Sequence, residues 1–104
     1  MGIDVAWVDE GHEVKQIVGD AQGVLTHLAI SRWSGLTGSV CLRFVVPWGD
    51  AVFNQAQSSD LLNELSAEVR EASDPKVRAH LQKVIRLVEL VKKKGSTYIK
   101  FIGD

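Results

Sequence analysis

The chain has 104 residues, 45% apolar and 24% charged, with a formal net charge of −1. That is the size and balance of one ordinary globular domain, 1–104, able to bury roughly two-thirds of the surface its unfolded form exposes. The near-zero charge argues against a whole-surface nucleic-acid binder, the single cysteine forbids an internal disulfide and fits a reducing compartment, and no apolar run is long enough for a membrane span.

The opening MGIDVAWVDE lacks the basic-then-apolar pattern of a signal peptide, and Ala6 stands where a myristoylation site needs Ser or Thr. Residues 3–8 and 13–18 alternate with period two around an Asp-Glu-Gly-His turn, which predicts a hairpin with Gly11 free to take positive φ. Residues 21–32 are ambiguous between helix and strand, and their spacing favours a short helix after Asp20. SRWSGLTGS, residues 31–39, is a Gly/Ser-rich loop interrupted by Trp33 and Leu36.

Residues 40–54, VCLRFVVPWGDAVFN, form the organising stretch. Val40, Leu42, Phe44 and Val46 share one face of an expected strand, Pro47-Trp48-Gly49-Asp50 is turn chemistry, and residues 51–53 resume an extended pattern, so the stretch reads as a second hairpin. A helix follows, with Ser58 or Ser59 as the expected N-cap. Its stripe is Leu61, Leu62, Leu65, Val69 and Ala72, with Glu64 and Glu68 on the polar side. Ser73-Asp74-Pro75 divides it from a second helix, capped by Asp74 and stopped by Gly95 after three lysines. Residues 97–102 alternate again as a last strand. These elements predict an α+β fold: a mostly antiparallel sheet of about five strands, two hairpins plus a C-terminal strand, with an αα pair packed on one face.

The segments CLRFVVPWGDAVFNQAQ and STYIKFIGD resemble a family of small uncharacterised bacterial proteins, in which a strand ends in a Pro-aromatic-Gly-Asp turn and the chain closes on Ile-Gly-Asp. The family's Asp before the proline is Val46 here, and its Tyr after the proline is Trp48. The resemblance implies a bacterial cytoplasmic protein and supplies no catalytic residue.

No catalytic or metal signature stands out, and no cofactor is expected. His12 among Asp9, Glu10 and Glu13 lacks ligand spacing, His27 and His80 are singletons, and Cys41 reads as a buried, inert thiol. Lys76, Lys83, Arg86, Lys93 and Lys94 form a basic ridge on the second helix, but Ala79 and Leu90 interrupt it, and Leu90 on the polar face invites a contact across a dimer. Trp33 and Trp48 both lie in Gly-bearing loops, and each is either a core cap or a binding anchor. Asp50, Asn54 and Gln57, with Gln55 beside them, either converge on a ligand or serve as turn and cap residues.

The leading expectation is a non-enzymatic, cytoplasmic protein-interaction module. It binds another protein, or itself as a homodimer, through the sheet edge and the loops carrying Trp33 and Trp48. An immunity or antitoxin-like inhibitor is one concrete form. The alternative is a small-molecule binder or minor enzyme with a polar pocket near Asp50, Asn54 and Gln57. Nucleic-acid binding by the basic ridge is the third reading.

Overall fold

The computed structural model describes residues 2–103. Its sheet has four strands, all antiparallel, in the order β2-β1-β4-β3, with β1 at Asp4–Asp9, β2 at Val14–Val18, β3 at Asp50–Phe53 and β4 at Thr97–Ile102. The first hairpin forms as the alternation predicts. Its turn is closed by Asp9, whose Oδ1 accepts the N–H groups of Gly11 and Glu13 at 2.9 Å. The left-handed residue there is His12, at φ 63°, rather than Gly11.

Residues 24–31 form the short helix α1, Val24–Ser31. α2, Gln55–Glu71, and α3, Pro75–Lys93, form the αα pair against one sheet face. α2 supplies Leu61 and Leu65, and α3 supplies Leu81, Val84, Leu87, Val88 and Val91. These pack on the inward residues of the strands: Val5, Phe53, Ile99 and Phe101. Phe53 meets Phe101 edge-on, ring centroids 5.8 Å apart. Period two on the strands thus meets helical spacing on the helices, as burial requires of two packed layers.

Three expectations are corrected. The sheet has four strands and not five, because residues 40–46 do not form a strand and the second hairpin does not exist. That segment contains a 3-10 turn at Leu42–Phe44, and its buried residues are Cys41, Leu42 and Val45, a helix-like spacing rather than an alternating one. β3 pairs with β4 instead. Second, α2 starts earlier than expected. Asn54 is its N-cap: Asn54 Oδ1 accepts the Gln57 N–H at 3.0 Å while Gln57 Oε1 accepts the Asn54 N–H at 2.9 Å, a reciprocal capping box. Third, Leu90 is half-buried against the core and is not free on the polar face. The cap on α3 is the expected one: Asp74 Oδ1 accepts the Lys76 N–H at 2.9 Å, with Pro75 in the first turn.

Candidate interaction site

Three carboxylates hold the irregular parts of the chain. Asp20 is buried, and its oxygens accept the N–H groups of Ile3, Val24 and Leu25 at 2.7–3.1 Å, tying the start of α1 to the residue before β1. Glu64, on α2, accepts the N–H groups of Val40, Cys41 and Leu42 at 2.9–3.1 Å and the hydroxyl of Ser39. Ser39 Oγ in turn accepts the Arg43 N–H at 3.0 Å. The amides a strand would spend on a ladder are spent here on a side chain, which is why residues 40–42 leave the sheet.

Glu68, one helical turn further along α2, is the third. It is 4% exposed and takes a two-pronged pair of bonds from Arg32, at 2.9 and 3.0 Å, with a bond from Trp33 Nε1 at 2.9 Å. Burial pushes its carboxyl up, but the bonds from Arg32 and Trp33 and the charge of Arg32 outweigh that and hold it below the usual glutamate value. Glu68 therefore belongs to the buried stripe and not to the polar side. The signal was its spacing, three residues after Leu65 and seven after Leu61.

The two loop tryptophans part company. Trp33 is fully buried, capping the core with its indole N–H on Glu68. Trp48 is 74% exposed. The segment that carries it also exposes Val40 at 55% and Phe44 at 54%, with the Arg43 guanidinium 4.8 Å over the Phe44 ring. The turn at Trp48 is pinned from behind, since the Gly103 N–H donates to Gly49 O at 3.1 Å. A Cβ at Gly103 would overlap the backbone of Gly49 and Pro47, so only glycine fits that approach.

The polar residues Asp50, Asn54 and Gln57 are engaged locally. Asn54 and Gln57 bond each other's backbone in the capping box, and Asp50 lies 3.8 Å from Lys100 on the adjacent strand. Gln55 reaches to the end of α3, its Nε2 donating to Lys92 O at 2.8 Å. Cys41 is buried, and burial, then the charges of Glu64 and Asp60, push its thiol up to about 11, so it is almost wholly protonated near neutrality. His80 Nε2 is buried 3.6 Å from Asp20 Oδ1, too far for a full hydrogen bond, and burial outweighs the pull of Asp20 to lower its pKa. It borders a cleft of about 490 Å³ between the loop before α1 and α3, where Lys76 and Lys83 also line the wall.

Among the described residues, no group of three or more His, Cys, Asp and Glu side chains converges to hold a metal ion, and no helix is long and apolar enough to cross a membrane. Sequence reasoning missed Val40 and Phe44 as exposed residues because it placed them on a strand face. No family model, curated protein or solved structure matches the chain.

Proposed function

We propose that the chain is a non-enzymatic protein-interaction module of a bacterial cytoplasm, with an immunity or antitoxin-like inhibitor as its concrete form. Its binding surface is the segment of residues 40–48, and its anchors are Val40, Phe44 and Trp48. The observation that carries the reading is that these three large apolar side chains are more than half exposed on one short segment, its start fixed by Glu64 and its turn held by the Gly103 N–H on Gly49 O. Exposed aromatics on a rigid loop are the usual anchors of a protein interface, because little ordering entropy remains to be lost on binding. Trp33 drops out of the surface, since it caps the core. Asp50, Asn54 and Gln57 contribute by shaping the turn and helix entry beside it.

The test is capture of a stoichiometric partner from the native host by tagged protein, with Trp48→Ala and Phe44→Ala as controls. Each substitution removes an anchor and is expected to weaken binding by about 2 kcal/mol, roughly thirtyfold, without lowering the melting temperature. Capture that is indifferent to both substitutions refutes the surface. A protein that captures nothing refutes the function.

A further inference from the structure

The cleft between α3 and the loop before α1 measures about 490 Å³, within the roughly 300–1,000 Å³ of ordinary small-molecule sites. Helical spacing builds its α3 wall. Lys76, Ala79, His80 and Lys83 fall on one strip of the helix. The two lysines stand two turns apart, about 10 Å along the axis, and lie at either end of the strip. Ala79 and His80 lie between them, and the small side chain of Ala79 leaves the strip recessed there. Gln22 and Val24 form the opposite wall.

The charge in the cleft is unbalanced. Among the described residues, neither lysine has a carboxylate within 4.0 Å of its ammonium. Asp74 also lines the cleft, but its Oδ1 is spent on the Lys76 N–H as the cap of α3. Asp20 lies behind His80 with its side chain fully buried, and its oxygens are taken by the N–H groups of Ile3, Val24 and Leu25. Two mobile cations therefore face one acid. Their methylene stems add apolar surface to that of Val24 and Val77. Point charges reaching in from opposite ends suit a phosphoryl group, which offers oxygens in several directions. A flat carboxylate is better matched by the fork of an arginine.

His80 supplies the floor between the lysines. Its Nε2 is buried 3.6 Å from Asp20 Oδ1 without a hydrogen bond, while the ring keeps a 15% exposed edge on the cleft. Burial lowers its pKa, Asp20 pulls the other way, and the charge of Lys83 lowers it further. An anion in the cleft offsets Lys83 and joins Asp20 in favouring the imidazolium, so anion binding draws a proton onto His80.

We propose that this cleft binds a small organic phosphate, its phosphoryl group held between Lys76 and Lys83 over His80 and its apolar part resting on Val24 and Val77. The site is separate from the segment of residues 40–48, and its test is separate too.

The probe is phenyl phosphate, titrated into the isotope-labelled full chain at constant ionic strength and about pH 7 and followed by NMR. Saturable shifts are expected at the amides of Gln22, Ala79, His80 and Lys83, and none at Phe44 or Trp48. Lys76→Ala and Lys83→Ala, both at exposed positions, each weaken binding about tenfold with unchanged melting temperature. Arg86→Ala, on the same helix but outside the cleft, leaves binding unchanged. Benzoate, the same ring bearing a carboxylate, binds at least about tenfold more weakly. Saturating phenyl phosphate raises the titration midpoint of the His80 ring, and His80→Gln abolishes the proton uptake while both lysine effects persist. Absence of saturable shifts up to about 20 mM overturns the proposal. So does a loss in Arg86→Ala equal to that in Lys83→Ala, which would mean diffuse attraction to a basic helix. Benzoate binding as tightly as phenyl phosphate, or a His80 midpoint that the probe does not move, overturns it as well.

Discussion

Glu68 is the residue whose environment separates the two loop tryptophans. Trp33 and Trp48 have similar sequence surroundings, each near glycine in a turn-rich loop, and sequence alone leaves their fates open. What decides for Trp33 is a buried acceptor supplied by α2 some 35 residues away along the chain. Long-range pairing of this kind has no local signature. Glu68→Ala leaves both the indole N–H and the Arg32 guanidinium without their partner, and is expected to cost about 3 kcal/mol in urea-melt stability. Glu68→Gln keeps an acceptor for Trp33 and is expected to cost about half as much. Equal losses in the two variants would mean that the charge, and not the hydrogen bonds, holds the loop.

At the scale of elements, the segment of residues 40–46 shows where periodicity fails. Its alternation of apolar residues is that of a strand, yet β4 already has β1 and β3 on its two sides, and the backbone N–H groups of residues 40–42 are claimed by Glu64. Tertiary context overrides propensity here. The rest of the architecture was legible where local chemistry is strong: the first hairpin, the Asp74-Pro75 helix start and the last strand all stand where the pattern puts them. The start of α2 was misread because serine is a common cap, while the Asn54–Gln57 reciprocity needed both ends to be considered together. Glu64→Ala strips the acceptor from three amides and a hydroxyl, and is expected to cost about 2–4 kcal/mol. Hydrogen exchange at residues 40–42 should accelerate strongly while exchange in β1 and β4 follows only the global loss of stability. Unchanged protection at residues 40–42 would show that packing of Leu42 and Val45, not the carboxylate, fixes the segment.

For the whole molecule, the titrating groups predict a stability that falls on acidification in two stages. His80 has a lowered pKa in the fold, so the unfolded chain binds its proton first, and stability drains as pH falls below the ordinary value of 6.5 and through the folded value. Glu68 is also lowered, so its contribution is present above 4.5 and is lost as pH falls further. Melting temperatures recorded between about pH 7.5 and pH 3 should show both stages. His80→Gln should flatten the upper one and leave the lower one intact. A variant that retains the upper stage would assign it to another group.

The strand order carries one more consequence. β4 comes last of the four strands in the chain, yet it lies between β1 and β3 and hydrogen-bonds to both. Without residues 97–102 the β1–β2 hairpin and β3 have no strand to join them, although α3 can still pack on α2 and on the hairpin. Phe53 then lacks its edge-on partner Phe101, and the Pro47–Gly49 turn lacks the Gly103 backbone that pins it. The last strand is thus the link that ties the Trp48 turn and β3 to the rest of the core.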